Sequence, residues 1–301
     1  MEMVSRACPL CGSTDQSSVF AQERFDPAQW GQFAFASRKL PEYMHYRMIV
    51  CPTCDSLYAA PIPKFDILAE GYQSASYDSG VEAGYAANTY ARLLRRILQR
   101  LPDRIGALDI GAGDGAFLKQ LVARGFTEVV GVEPSEAPIA AADESVRPLL
   151  RQGLFRPEDF GKESFRLITC FQTIEHLCDP MQVCRDAFSL LKEDGALLLV
   201  FHNRRAISAR LLRLRSPIFD IEHLQLFSRR SARFLLETAG YRDVKIGAIR
   251  NSYPLNYWLK LFPSPKMAKK LAMTIAERTG LGRLPVALPA GNLAAVAFKR
   301  K

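Results

Sequence analysis

Apolar residues follow two rhythms along this chain. Short continuous runs at "ALDI" (107–110), "EVVGV" (128–132), "LITCF" (167–171), "ALLLVF" (196–201) and "NLAAVAF" (292–298) read as buried strands. Between them the apolar positions recur every three or four residues. Leu93, Leu94, Ile97 and Leu98 form the stripe of a helix predicted from about Tyr85 to Arg100 and ended by Pro102. Ile207, Leu211 and Leu214 make a second stripe, and Met267, Leu271 and Ile275 a third. The segment 107–125, "ALDIGAGDGAFLKQLVARG", runs strand, tight turn, helix. Nearer the start, "YRMIVCPTCDSLYAAP" runs strand, knuckle, strand, and Pro61 and Pro63 mark a boundary behind it. The polar stretch "YQSASYDSG" then places Tyr72 and Tyr77 in a loop.

Composition narrows the class. In 301 residues, 48% are apolar, enough for a substantial core. No apolar run reaches the ~18 residues of a membrane span, and "MEMVSRACPLCG" lacks the apolar centre of a signal peptide. The expectation is a cytoplasmic protein. Its seven cysteines are then expected to be ligands or buried thiols rather than disulfides. The net charge of +9 is uneven: residues 251–301 hold nine Lys/Arg against Glu277 alone, and Arg204, Arg205, Arg210, Arg213 and Arg215 crowd into twelve positions. The remainder is mildly acidic, so the basic character is local.

Cys8 and Cys11 in "CPLC" and Cys51 and Cys54 in "CPTC" form two C-x-x-C turns with 39 residues between them. Each turn offers two thiolates, and two turns complete the tetrahedron that structural zinc requires. A thioredoxin-like redox pair would need only one such turn beside a βαβ pattern. Cys170, Cys178 and Cys184 fall on predicted core elements and are expected to be inert.

Gly111, Gly113 and Gly115 follow G-x-G-x-G, not the G-x-G-x-x-G of a dinucleotide fold. Gly111 and Gly113 let backbone approach a ligand, Asp109 can reach an amino group, and Glu133, 18 residues after Gly115, can accept two ribose hydroxyls. An amino acid joined to a nucleoside without phosphates, S-adenosylmethionine, fits that set.

Here the sequence resembles the class I S-adenosylmethionine-dependent methyltransferases. "DIGAGDG" is similar to their first motif, "GVEPS" to the acidic second, and "SFRLITCFQTIEHLCDP" to the fourth-strand motif, with Arg166 where an aspartate is common. The resemblance covers about 107–250 and the last strand. It implies an α/β, doubly wound, seven-stranded Rossmann-like sheet whose last strand is antiparallel and lies between the fifth and sixth. The expected organisation is a zinc ribbon (1–62), a helical linker (63–101) and a methyltransferase domain (102–301) with basic insertions at about 203–220 and 251–290.

The cofactor contacts implied are Asp109, Gly111, Ala112, Gly113, Gly115, Glu133, Phe171 and Gln172, with Gly153 and Leu154 near the adenine. Three histidines, His176, His202 and His223, are expected at the carboxyl edge. "FDIEHLQLF" resembles the Glu-His pair of zinc-containing sugar C-methyltransferases, which makes His223, at the start of a helix, the preferred base, Glu222 its neighbour and His176 the second candidate.

Three functions compete. The first is methylation of a small-molecule, sugar or lipid-linked intermediate, anionic if the insertion arginines hold it, with contact to an acidic membrane at its inner face as one version. The second is RNA methylation. It is disfavoured because the N-terminal module is not strongly basic and lacks an aromatic-basic strip. The third is a non-catalytic binding module, which intact Asp109, Glu133 and glycines oppose.

Overall fold

The computed structural model describes residues 2–26, 35, 42–77, 80–262 and 264–300. Seven strands form the central sheet: β1 (Ile105–Ile110), β2 (Thr127–Glu133), β3 (Leu150–Gln152), β4 (Phe165–Phe171), β5 (Leu191–His202), β6 (Arg242–Ala248) and β7 (Asn292–Phe298). Their order is β6-β7-β5-β4-β1-β2-β3, with β7 antiparallel to both neighbours and the other pairs parallel. This is the doubly wound arrangement expected from the sequence. Its central strands are buried on both faces, which is why they read as apolar runs rather than alternating ones.

The helices are α1 (Phe65–Gln73), α2 (Gly80–Leu98), α3 (Ala116–Val122), α4 (Glu136–Ala141), α5 (Pro180–Leu190), α6 (Ile207–Leu212), α7 (Arg229–Thr238), α8 (Leu255–Leu261) and α9 (Lys266–Arg278). One sheet face packs on α2 and α3, through Tyr90, Leu94, Ile97, Phe117, Leu118 and Leu121. Helix α2 begins five residues before the predicted Tyr85, because small residues, Ala83, Ala86 and Ala87, continue the buried stripe where the large ones stop. Helix α5 starts at Pro180 under Asp179, whose side chain accepts from the Gln182 N–H, and α7 starts with a reciprocal Ser228–Ser231 cap.

The other face packs on α5, α7 and the N-terminal module together. Cys8, Leu10, Ile49, Cys51 and Tyr58 belong to the same buried cluster as Ile168, Leu199 and Leu235. The strands Val19–Ala21, Met48–Val50 and Leu57–Ala59 form a small antiparallel sheet, and its fourth strand, Gln225–Leu226, comes from beyond β5. The cysteine module is thus stitched into the body of the molecule. Arg166, which stands where an aspartate is common in the motif the sequence resembles, is the second residue of β4. It is buried there, with its guanidinium on Asp103 at 2.7 Å.

Candidate active site

A cavity of about 560 Å³ opens at the carboxyl ends of β1, β2, β4 and β5. The glycine-rich turn forms one end. Gly111, Gly113 and Gly115 all have positive φ, from 56° to 76°. A Cβ on Gly111 would lie 2.3 Å from Thr173 Oγ1, whereas one on Gly113 would meet nothing and would project from the turn. Gly113, Gly111 and Ala112 line the cavity. Gly115 does not: it turns the chain into α3 and faces Val146 and Leu150.

The Glu133 carboxylate accepts from Gly113 N at 2.9 Å and from Ser135 N at 3.0 Å. Each oxygen therefore spends one lone pair on backbone and keeps another for a hydroxyl. The bonds fix the carboxylate at the cavity wall, while burial lifts its pKa above the ordinary range. Asp109 is buried with only the Thr169 hydroxyl, at 2.6 Å, against its Oδ1. Burial pushes it up to about 7, against that hydrogen bond, so a cationic partner would be welcome there.

Phe171 wedges between Tyr90 and Phe117, both at 4.6 Å. Gln172 has its Nε2 buried without a partner, a donor that a bound carboxylate can satisfy. Leu154 lines the wall, and Gly153 sits behind it, its N–H on Glu133 O.

The same cavity is lined by the three expected histidines. His176 and His223 have ring centroids 4.9 Å apart, and His202 and His223 5.0 Å. His223 is not at a helix start, because α7 begins only at Arg229. It lies in the turn that carries Asp220 to the Gln225 strand. Its Nδ1 meets Ile218 O at 2.9 Å, and a carbonyl can only accept, so Nδ1 carries the proton and Nε2 the basic lone pair. That Nε2 stands 3.9 Å from Glu222 Oε1. His176 Nδ1 contacts Glu222 O at 3.1 Å and the Tyr72 hydroxyl at 3.0 Å. Burial drives His202 down to about 4, despite its hydrogen bond to Asn292, so it is neutral. Glu175 lies behind the wall and holds His202 N at 2.8 Å. Burial raises its carboxyl to about 8.

Sequence reasoning missed Tyr72. It is not in a loop but in the last turn of α1, because Phe65, Leu68 and Tyr72 share the face of that helix that lines the cavity. A spacing of 104 residues to His176 gives no local signal of the contact. Also missed was the fate of two arginines. Arg204 and Arg205 both pair with Asp55, the residue after Cys54, with Arg205 Nε at 2.7 Å from Oδ2. Burial alone would raise Asp55, yet the bonds from Arg205, Ser228 and Arg204 bring it down to about 2. Arg204 is an internal strut rather than a free hand for an acceptor. Arg210, Arg213 and Arg215 lie exposed outside the cavity lining.

The four cysteines converge. Cys8 and Cys54 sulfurs are 3.5 Å apart, Cys11 and Cys51 3.4 Å, and all four lie within 4.8 Å of one another. Zinc–sulfur bonds of ~2.3 Å in a tetrahedron place sulfurs ~3.8 Å apart, so Cys8, Cys11, Cys51 and Cys54 fit a structural zinc ion. The two knuckles share a design. Gly12 and Asp55, each following the second cysteine, both adopt positive φ, and Gly12 N and Asp55 N bond back to Cys8 O and Cys51 O.

The family model described as methyltransferase domain matches residues 83–246, just over half of the chain. A ubiquinone biosynthesis O-methyltransferase from Pseudomonas savastanoi pv. phaseolicola is 30% identical over 117 residues, 35% of this chain and 49% of that one. A protein of the same name from Marinobacter nauticus is 32% identical over 108 residues, covering 33% and 44%. The chain thus spans about half the length of the curated relatives it matches. Among solved structures, a S-adenosylmethionine-dependent methyltransferase from Thermotoga maritima aligns with a TM-score of 0.47 at 19% identity, over 74% of this chain and 93% of that one. Phosphoethanolamine N-methyltransferase 2 from Haemonchus contortus aligns with a TM-score of 0.45 at 16% identity, over 81% and 63%.

Proposed function

Since this chain belongs to the methyltransferase-domain family, we propose that it transfers a methyl group from S-adenosylmethionine to a small-molecule, sugar or lipid-linked biosynthetic intermediate. One observation carries this reading. A single cavity is lined by Asp109, Gly113 and Glu133 together with Tyr72, His176, Glu222 and His223. The cofactor, when bound, supplies an electrophilic methyl carbon. The chain's own residues do the rest.

Glu133 would hold two ribose hydroxyls on its remaining lone pairs, Asp109 would pair with the ammonium group, and Gln172 Nε2 would donate to the carboxylate. The acceptor would lie against the histidines, which would orient it toward the methyl group the cofactor supplies. Orientation of this kind is worth ~7–11 kcal/mol of barrier. His223 takes the acceptor's proton on Nε2, and Glu222 beside it stabilises the imidazolium that results. Glu222 O and the Tyr72 hydroxyl fix the ring of His176, which forms the wall on the acceptor's side. Phe171, between Tyr90 and Phe117, closes the apolar side. We further propose that zinc on Cys8, Cys11, Cys51 and Cys54 is structural.

The test is transfer of radiolabelled methyl from S-adenosylmethionine into separated nucleotide-sugar, glycolipid, quinone-precursor and RNA pools. Label in a small-molecule or lipid pool is expected, and label in RNA alone would sink the reading. With an acceptor in hand, His223→Ala should lower turnover ~10²–10⁴-fold with cofactor affinity unchanged. Near-normal turnover would move the base to His176 or remove it.

A further inference from the structure

The two basic insertions meet at the cavity mouth. Ser208 Oγ donates to Ala290 O at 3.4 Å, and Ser208, Leu212, Trp258, Phe262 and Leu288 all line the cavity. Helix α9 lies against α8, with Lys269 Nζ on Lys260 O. A hairpin of Asn251–Pro254 with Pro285–Leu288 carries both.

If the apolar stripes of these insertions packed inward, they would be ordinary lid core. They do not. Ile207 is 77% exposed, Leu211 78% and Met267 84%, and Leu271, Ile275 and Leu284 are more than half exposed. More than half of the strongly exposed large apolar side chains among the described residues fall in these two segments. Phe262 and Leu288 are both exposed and part of the cavity wall, so exposed apolar side chains of this insertion reach the pocket.

The charges are interleaved with those stripes. Arg210, Arg213 and Arg215 flank Leu211 and Leu214, while Lys266 and Lys270 adjoin Met267 and Leu271. Among the described residues none of these five pairs with a carboxylate, and Glu277 is the one acid in 251–290. No described helix is long and apolar enough to cross a membrane.

We propose that these insertions form a docking surface for an anionic lipid bilayer, which holds the cavity mouth against the membrane. Outward aliphatic side chains enter the acyl boundary, and the neighbouring lysines and arginines meet acidic headgroups, as on interfacial amphipathic helices. A nucleic acid would call for the cations without a row of protruding Met, Leu and Ile. The surface deepens the proposed methyl transfer by placing the mouth where a lipid-linked acceptor resides, but its test needs no turnover.

Sedimentation of the full chain with phosphatidylcholine vesicles, and with vesicles of about one third phosphatidylglycerol, decides the matter. Binding is expected to be at least ~10-fold stronger on the anionic vesicles and to weaken with salt. Lys266→Glu with Lys270→Glu should lose most of it. Met267→Asp with Leu271→Asp should too, with unchanged melting temperature because these side chains touch no core. No vesicle binding, or equal binding to neutral vesicles, would overturn the proposal. So would a dimer that Met267→Asp dissolves, or RNA binding that the Lys266→Glu pair abolishes and the Met267→Asp pair leaves intact. Calorimetry with S-adenosylmethionine on the same variants is expected to match wild type. A failure confined to the vesicles therefore leaves the methyl-transfer reading standing, and failure to bind the cofactor counts against that reading alone.

Discussion

Asp109 was legible from its place before the glycine turn, but its protonation was not. A carboxyl at the end of a sequence run looks exposed, whereas here it is buried at the cavity wall and, among the described residues, is hydrogen-bonded by the Thr169 hydroxyl alone. Burial raises its pKa to about 7, so below that pH the carboxyl is neutral. An ammonium partner needs the ionised form. Cofactor affinity should therefore rise between about pH 5.5 and 7.5, while the Asp109→Asn variant binds ~10-fold or more weakly with little pH dependence. Stability runs the other way. A group whose folded pKa exceeds its unfolded value stabilises the fold at low pH, and that contribution is lost as pH rises through about 7. The rise in melting temperature on adding cofactor should accordingly be largest above pH 7. A wild-type affinity that is flat across this window would place the ammonium group elsewhere.

Among the elements, strands and the glycine turn announce themselves through apolar runs and Gly spacing, because burial on both faces leaves a mark in a few consecutive residues. The two-residue strand Gln225–Leu226 leaves none. It is defined by pairing with Leu57–Ala59, more than 160 residues away. Arg6 locks this junction. Its guanidinium donates to Leu224 O at 2.6 Å, Ala59 O at 2.8 Å, Cys178 O at 3.1 Å and Gln225 Oε1 at 3.2 Å. Burial lowers even an arginine to about 10 here. Lysine cannot reproduce that fork. Arg6→Lys should let the 220–225 turn drift, lowering kcat by ~10-fold or more while cofactor affinity stays within ~2-fold. Steady-state kinetics beside calorimetry would check this. An equal loss in both would mean the damage is global rather than confined to the Glu222–His223 turn.

At the scale of the whole molecule, the paired cysteines were plain in the sequence, but their integration was not. Chain order suggests a detachable N-terminal module, since Pro61 and Pro63 punctuate its end. Instead Cys8, Cys51 and Tyr58 pack in one cluster with the sheet, and Asp55 anchors Arg204 beyond β5. Cys51→Ser, or zinc removal by a chelator, should therefore lower a single melting transition for the entire chain instead of melting sixty residues and sparing the rest. Two separated transitions by calorimetry would show the module to be autonomous. Strand β7 has a comparable reach, because it is inserted between β5 and β6 and, among the described residues, is the one strand that pairs with β6. During synthesis β5 is made with an open edge, and β6 emerges with no neighbour to join until residues 292–298 arrive. At ~5–20 residues per second that delay lasts a few seconds or more. For that interval the nascent chain offers a bare, strongly apolar strand edge inside the cell, so its yield should depend on chaperone supply at the ribosome more than its finished stability would suggest.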